Sequence, residues 1–250
     1  QLWAIKRVLG GESTLLVQAT GSGKSLCYQL PALLLEGLTI VISPLVSLME
    51  DQLASLPPSI PGACLSGQQS GVEIAKTIRG LRENRIKVLF LSPERLFSSS
   101  FQRLLSDGDF LPRVSCVCVD EAHCISSWSH NFRPTYLRLR QLLIDTLNAK
   151  CILGLTATAT KYVVDDICDV LNIQEVRIGE WFRDNLDMRA IACEEEKMEG
   201  RFRKLVDVFK DPILTRQKSS SVIVYVRTKM ETTIVAERLS AKGIPAKAYH

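Results

Sequence analysis

The sequence predicts an α/β fold built on a parallel, doubly wound β-sheet. Apolar runs rich in β-branched residues alternate along the chain with segments of helical periodicity. Most of these runs are continuously hydrophobic, as strands are when helices cover both faces of a sheet. The first run leads into a glycine-rich loop and then a helix, which is a unit typical of this fold class. The predicted strands are 14–18, 38–43, 87–92, 114–120, 151–156 and 221–226.

Helical patterns cover residues 45–56, 70–82, 134–147 and 161–171. The helix that follows the glycine-rich loop is expected to break at Pro31, because proline has no N–H to donate and its ring clashes with the preceding turn.

A change of character over residues 179–200 predicts a domain boundary, since a short apolar stretch there is followed by three consecutive glutamates. We expect one domain over residues 1–180, a linker over 181–200 and the opening of a second α/β domain over 201–250. The second part is predicted to contain a helix from Arg201, a helix over 229–242 and a strand beginning near Ala246.

Composition points to a soluble intracellular protein. Of the 250 residues, 46% are hydrophobic and 23% charged, which is ordinary for a globular chain. No apolar run approaches the ~20 residues that span a bilayer, so no membrane partner is expected. The eight cysteines show no C-x-x-C spacing and are predicted to be buried free thiols. The net charge of +4 permits a polyanionic partner without requiring one.

The segment A-T-G-S-G-K-S, residues 19–25, predicts a phosphate-binding loop. Glycines at 21 and 23 let the backbone curl so that its N–H groups point at an anion, and the helix N-terminus adds its positive end. Lys24 supplies a positive charge for the β- and γ-phosphates, and the Ser25 hydroxyl is placed to bind Mg²⁺. The usual pattern begins with glycine and this one with Ala19, so the flanking strand and helix carry part of the argument. The candidate nucleotide-binding residues here are Ala19, Thr20, Gly21, Ser22, Gly23, Lys24 and Ser25.

A second candidate centre follows the strand over 114–120. Asp120, Glu121 and His123 stand where a parallel sheet delivers the carboxyl end of a strand, the edge at which α/β proteins bind ligands. Beside a phosphate loop, an aspartate here holds Mg²⁺ and the next glutamate activates the water that attacks the γ-phosphate.

Aromatic and basic residues interleave directly after these acids. Trp128, Phe132 and Tyr136 offer faces that stack on unpaired bases, and His130 and Arg133 offer charges that reach phosphate. The alternative is that the aromatic rings pack against the following helix, and for Tyr136 the two interpretations have equal support.

Serines end two of the predicted strands. The hydroxyls of Ser43 and Ser92 either contact DNA phosphates or cap the helices that follow.

The motifs together resemble a superfamily 2 helicase and, within it, the RecQ family of DNA helicases. The resembling blocks include H-C-I-S-S-W-S-H-N-F-R-P-T-Y at 123–136, which is similar to the aromatic-rich loop of that family. Ser129 and Asn131 in this block resemble the subfamily linked to Rothmund-Thomson syndrome. The other blocks are residues 19–25, S-P-L-V-S-L-M-E-D-Q at 43–52, L-S-P-E-R-L at 91–96, D-E-A-H at 120–123, G-L-T-A-T-A-T at 154–160 and V-I-V-Y-V-R-T at 222–228.

The resemblance implies RecA-like domains and roles for further residues. Gln1 would read adenine, His123 would join Lys24, Asp120 and Glu121 in catalysis, and Thr156 and Thr158 would couple hydrolysis to domain movement. The implied reaction is ATP-driven, 3′-to-5′ unwinding of DNA from single-stranded or 3′-tailed substrates, in nuclear repair, recombination or replication. ATP and Mg²⁺ are the implied cofactors, and the family's zinc-binding region would lie beyond residue 250.

Two other functions stay open at this stage. An RNA helicase would share the ATP chemistry, although the aromatic block argues against it. A non-enzymatic, nucleotide-gated binding module is disfavoured by the presence of Lys24, Asp120 and Glu121 together. Because the superfamily draws an arginine from its far lobe for hydrolysis, we expect the 250 residues alone to unwind DNA poorly or not at all.

Overall fold

A computed structural model describes residues 1–67, 69–106, 111–129, 134–139, 142–180, 185–193, 198–210 and 221–250. The chain divides into two compact units, residues 1–183 and 184–250. None of the helices in these described ranges is both long and apolar enough to cross a membrane.

The first unit is built on a parallel sheet of seven strands in the order β3-β4-β2-β5-β6-β1-β7. This confirms the predicted fold class. The strands are β1 Thr14–Val17, β2 Leu38–Ile42, β3 Gly62–Leu65, β4 Val88–Leu91, β5 Val114–Val119, β6 Ile152–Thr156 and β7 Glu175–Ile178.

Helices connect these strands. They are α1 Leu2–Leu9, α2 Leu26–Leu34, α3 Val46–Ala54, α4 Gly71–Arg82, α5 Pro93–Leu96, α6 Ser99–Ser106, α7 Pro134–Leu137 and α8 Lys161–Leu171, with a 3₁₀-helix at Ala122–Ile125 and a π-helix at Leu142–Thr146.

Alternate residues of β1 to β6 enter two separate hydrophobic clusters, as the period of two along a strand requires. On one face Leu16 and Val41 pack with α1, α2 and α3. On the other face Leu15 and Ile40 pack with α4, α6 and α8. Both faces are therefore covered, which is why the strands read as continuous apolar runs.

Two strands of this sheet were not predicted. β3 contains no β-branched residue, and it is a strand because it pairs with β4, as in the register Cys64 to Phe90. β7 is a largely exposed edge strand that pairs with β1. Short edge strands depend on their neighbour for hydrogen bonds, so local composition indicates them weakly.

The expected helix break at Pro31 is wrong. α2 runs through this residue to Leu34, and Leu35 N donates to Pro31 O at 2.8 Å. Pro31 lies buried beside Tyr28 and Ala32, so packing offsets the missing hydrogen bond. The helix predicted over 134–147 is present as α7 and the π-helix, with residues 140–141 between them outside the described ranges.

The second unit contains α9, Met198–Val208, and α10, Lys229–Ala241. The guanidinium of Arg238 lies 4.0 Å from the ring centroid of Phe202 and 2.7 Å from the carboxylate of Glu199, which joins the two helices. The predicted strands at 221–226 and near Ala246 are wrong, because the structure gives these described residues no regular structure. A strand needs a partner, and the described part of this unit supplies none.

Candidate functional site

The candidate site residues of the first unit lie at the carboxyl edge of its sheet. β5, β6 and β1 are neighbours in strand order, so the segments that leave them meet at this edge. Backbone hydrogen bonds tie two of these segments together: Gln18 N, just after β1, donates to Thr156 O at the end of β6 over 3.0 Å. The phosphate-loop segment is thus tied to the end of β6, and the charge of its Lys24 acts on both Asp120 and Glu121, so the acidic segment lies near it as well.

The loop over residues 19–25 has the backbone geometry of an anion cradle. Gly21 and Gly23 have φ of 77° and 76°, which L-residues with a side chain rarely adopt. Within the described part of the chain, the N–H groups of Gly21, Gly23 and Lys24 donate to no backbone carbonyl. Ser25 occupies the N-cap position of α2, and its side chain makes no capping hydrogen bond there. The loop therefore presents free donors together with the positive end of a helix.

Lys24 and Gln1 are both held against this loop. The Lys24 ammonium donates to Gln18 O at 2.9 Å and to Ala19 O at 3.2 Å. The Gln1 amide donates to Ser22 O. A Cβ on Gly23 would lie 2.7 Å from Gln1 Nε2, so a side chain at residue 23 would displace Gln1. Thr20 lies exposed on the same loop.

Asp120 is buried and is held by two hydrogen bonds. Gln52 Nε2, on α3, donates to Asp120 Oδ2 at 2.9 Å, and Glu121 N donates to Asp120 Oδ1 at 3.0 Å. Burial raises the pKa of the Asp120 carboxyl, while the hydrogen bond from Gln52 and the charge of Lys24 lower it. Burial is therefore the largest influence on the pKa of Asp120. A buried carboxylate is stabilised by a positive charge beside it, so the site favours a cation here.

Glu121 has its backbone in the left-handed region, with φ of 49° and ψ of 46°. Such a conformation is uncommon for a residue with a side chain. Strained backbone conformations of this kind occur mostly at functional sites. A hydrogen bond from His123 holds the pKa of Glu121 below its usual value, and the charge of Lys24 acts in the same direction. Glu121 is therefore an ionised carboxylate that can accept a proton.

His123 connects the acids to the end of β6. Its Nδ1 lies 3.2 Å from Glu121 Oε2 and 2.9 Å from Thr156 Oγ1. Hydrogen bonds with Cys124 and Glu121 raise the pKa of His123 to about 9, so the ring carries a proton at neutral pH. Thr156 Oγ1 in turn donates to Thr158 O at 3.1 Å. The structure thus joins both candidate coupling threonines to the acidic segment.

The residues present fit a hydrated Mg²⁺ ion and a polyphosphate. Gln18 Oε1, Ser22 Oγ and Gln52 Oε1 are buried around Lys24 and Asp120 without a hydrogen-bond partner among the described residues. Buried polar atoms of this kind are normally satisfied, so they indicate that a polar ligand completes their hydrogen bonding. Ser25 and Asp120 are the residues that would hold the ion, with Ser25 on the loop and Asp120 on the neighbouring segment.

The two serine alternatives have different outcomes. Ser92 Oγ accepts from Arg95 N at 3.2 Å and caps α5, which supports the capping interpretation. Ser43 is buried, Leu45 rather than Ser43 occupies the N-cap position of α3, and the Ser43 hydroxyl has no partner in the part of the chain that the structure describes. Contact with DNA stays a prediction for both residues.

The aromatic block after the acids is described in part. Trp128 is 72% exposed, whereas Tyr136 is fully buried, so packing explains Tyr136. His130, Phe132 and Arg133 lie outside the described residues. The role of Trp128 in DNA binding remains a prediction that its exposure supports.

Sequence reasoning missed three residues that contact the site. Gln52 belongs to the block 43–52, and that membership was a usable sequence signal, although the residue is only half-buried on α3. Ser126 donates to Asp166 of α8 at 2.5 Å, and Tyr162 of α8 contacts Trp128. The last two contacts join segments far apart in sequence, so only the fold reveals them.

The fold and the arrangement of this site are typical of the P-loop class of nucleotide-binding proteins. Residues 1–167 match the family described as DEAD/DEAH box helicase. The chain belongs to this family.

The relatives confirm the resemblance to RecQ helicases. The chain is 45% identical over its whole length to "ATP-dependent DNA helicase Q-like 5" of Arabidopsis thaliana and spans 27% of that protein. It is 40% identical over 243 residues to "ATP-dependent DNA helicase RecQ" of Bacillus subtilis, covering 96% of the chain and 39% of that protein. Human "ATP-dependent DNA helicase Q4" is 46% identical over 176 residues, 69% of this chain and 14% of its own length. The chain therefore spans well under half of these relatives.

Solved structures share the fold. The Mycobacterium smegmatis helicase Lhr, solved bound to single-stranded DNA and AMP-PNP, is 22% identical and superposes with a TM-score of 0.62 over 96% of this chain and 34% of its own. The Pyrococcus furiosus Hef helicase domain is 20% identical, with a TM-score of 0.53 over 97% of this chain and 53% of its own.

Proposed function

We propose that the chain is the ATP-binding core of an ATP-dependent DNA helicase of the RecQ type. The reaction is ATP-driven translocation along single-stranded DNA in the 3′-to-5′ direction, with unwinding of 3′-tailed duplexes. One observation supports the proposal above others: Lys24, Asp120 and Glu121 lie at the same edge of the sheet. The exposed Trp128 follows Glu121 closely in sequence.

The residues of the site have separable tasks in this proposal. The loop N–H groups and Lys24 bind the phosphates, and Gln1 at the loop contacts the base of the nucleotide. Ser25 and Asp120 hold Mg²⁺, which when bound supplies positive charge to the β- and γ-phosphates. Glu121 is ionised and takes the proton of the attacking water.

Coupling to DNA runs through His123 and the segment that follows it. Trp128 lies five residues after His123, and His123 bonds both Glu121 and Thr156. DNA that shifts the aromatic segment therefore acts on the water-activating carboxylate without an intermediate element. Thr156 and Thr158 carry the change to β6, and movement of a second RecA-like domain, of which residues 201–250 are the first part, advances the strand.

The test is phosphate release by the natural protein with and without single-stranded DNA. We expect stimulation by DNA that exceeds stimulation by RNA of equal length, and loss of release in Glu121→Gln with nucleotide binding retained. Trp128→Ala should keep ATP affinity and lose stimulation by DNA. Equal stimulation by RNA would favour an RNA helicase, and nucleotide binding without any release would favour a binding module.

Strand displacement tests direction and completeness. The natural protein should separate duplexes with a 3′ tail and leave those with a 5′ tail intact, whereas the 250 residues alone should bind nucleotide and not unwind. Unwinding by the 250 residues alone would show that no arginine from further along the chain is needed. Nuclear location and a role in DNA repair, recombination or replication belong to the same proposal and are tested by imaging and by sensitivity of a deletion strain to DNA damage.

A further inference from the structure

Two exposed aromatic rings contact each other at the edge of the sheet that carries the site. The ring centroids of Trp128 and Tyr162 lie 5.9 Å apart with their planes 31° from parallel. Trp128 is 72% exposed and Tyr162 is 69% exposed, so both keep most of their surface in solvent. Trp128 follows the 3₁₀-helix and Tyr162 is in the first turn of α8.

Hydrogen bonds fix these two elements against each other. The hydroxyl of Ser126, which is fully buried, donates to Asp166 Oδ2 of α8 at 2.5 Å. The same hydroxyl accepts from Trp128 N at 3.2 Å. Asp166 is four residues after Tyr162, one helical turn further along α8. The two rings are therefore held on one support before any ligand arrives, which lowers the entropy lost on binding.

The start of α8 also supplies positive charge. Lys161 is exposed beside Tyr162, and it begins a helix whose N-terminal end is positive. Asp165, exposed one turn further along the same face, carries a negative charge that partly offsets that of Lys161. Aromatic faces beside a cation are the combination that binds single-stranded nucleic acid without regard to sequence.

Two rings offer far less area than a stable protein interface requires. An unpaired base, which is planar and of ring size, matches the pair closely in shape and chemistry. The preceding residue Thr160 ends the block 154–160 and caps α8 by accepting from Val163 N. This places the ring pair directly beside the candidate coupling residues.

We propose that Tyr162, together with Trp128, forms a stacking surface for one unpaired base of single-stranded DNA. Within this Trp128–Tyr162 surface, Tyr162 is a DNA-contacting residue outside the aromatic block 123–136, and Asp166 is the residue that positions the surface through Ser126. The inference rests on the proposed binding of single-stranded DNA and names one place where it occurs.

The test compares single-stranded DNA with an abasic strand of equal length and charge. Binding of labelled strands to the natural protein is followed by fluorescence anisotropy. Tyr162→Ala should weaken binding to the ordinary strand on the order of tenfold, the size of one lost base-stacking contact. Tyr162→Phe should bind as the unchanged protein does, because the ring is kept. On the abasic strand Tyr162→Ala and the unchanged protein should have the same affinity.

Val72→Ala is the matched control, since it also truncates an apolar side chain that is 81% exposed, at the start of α4. It should leave both affinities unchanged. Equal binding of the ordinary strand by Tyr162→Ala would overturn the inference, and so would an equal loss on the abasic strand, which would show that no base is stacked. If the unchanged protein binds neither strand, the proposed function itself fails and the inference fails with it.

Discussion

Replacing Thr156 by valine tests whether one buried hydroxyl joins the acidic segment to β6. Valine has nearly the shape of threonine but carries a methyl group in place of the hydroxyl, so the change removes the hydrogen bonds of that hydroxyl. Thr156 is fully buried, lies 2.9 Å from His123 Nδ1 and donates to Thr158 O at 3.1 Å.

The expected loss follows from these two bonds, since in the third contact Thr156 Oγ1 accepts from Thr158 N at 3.4 Å, beyond the usual hydrogen-bond distance. A hydrogen bond to a charged donor such as protonated His123 contributes about 1.5–3 kcal/mol, and a neutral bond about 1 kcal/mol. Burial of the added methyl group offsets about 0.8 kcal/mol of this loss in stability. We therefore expect Thr156→Val to lower the free energy of unfolding by about 2–3 kcal/mol. For a domain of this size that corresponds to a fall in Tm of roughly 4–12 °C.

Thermal unfolding measures this effect, with Thr156→Ser as the matched control because serine keeps the hydroxyl. Thr156→Ser should lower the free energy of unfolding less than Thr156→Val does, although the serine substitution removes a methyl group from the core. In the natural protein, Thr156→Val should also reduce DNA-stimulated phosphate release while the affinity for nucleotide stays near its original value. A valine variant that is more stable than the serine variant and that retains full stimulation would refute this reasoning.

Three further predictions concern the nucleotide site and its charges. Gly23→Ala should weaken nucleotide binding by about tenfold, since φ of 76° strains alanine by about 1–2 kcal/mol and its Cβ would meet Gln1; Gly67→Ala, with open space and no such φ, should be neutral in the same titration. Gln52→Leu removes the donor to Asp120 and should raise the Mg²⁺ concentration needed for half-maximal nucleotide binding by about tenfold, an effect that an unchanged Mg²⁺ titration would contradict. The proton on His123, whose pKa is raised from 6.5 to about 9, should stabilise the fold fully below about pH 6.5 and lose that effect as pH rises through about 9; His123→Asn should abolish this part of the pH dependence in thermal unfolding, and an unaltered profile would exclude it.

The phosphate loop shows how far sequence reasoning reaches. Its residues are consecutive, so the glycines at 21 and 23, Lys24 and Ser25 could be named as candidates from their spacing alone, and the positive φ at both glycines confirms the predicted curl of the backbone. Asp120, Glu121 and His123 are also close in sequence, so they could be named as a candidate centre, and their catalytic roles stay predictions. The positions of the main strands were predictable as well, because burial on both faces of a sheet demands long apolar runs.

Errors occur where the structure depends on a partner distant in sequence. β3 and β7 are strands because β4 and β1 pair with them, and the segment 221–226 has strand-like composition without a described partner. Pro31 remains helical because its neighbours bury it. In each case the presence or absence of a tertiary partner outweighed the local preference of the residues.

The sequence by itself determined the fold class, the phosphate loop and the acidic segment. The loop and the acidic segment consist of adjacent residues, and the fold class follows from the short hydrophobic periods of strands and helices. Tertiary structure alone decided that Gln52 supports Asp120, that Thr156 bonds His123 and that Tyr162 meets Trp128. These contacts join residues that are 68, 33 and 34 positions apart. These contacts depend on which strands are neighbours in the sheet, and no local pattern of residues encodes that strand order.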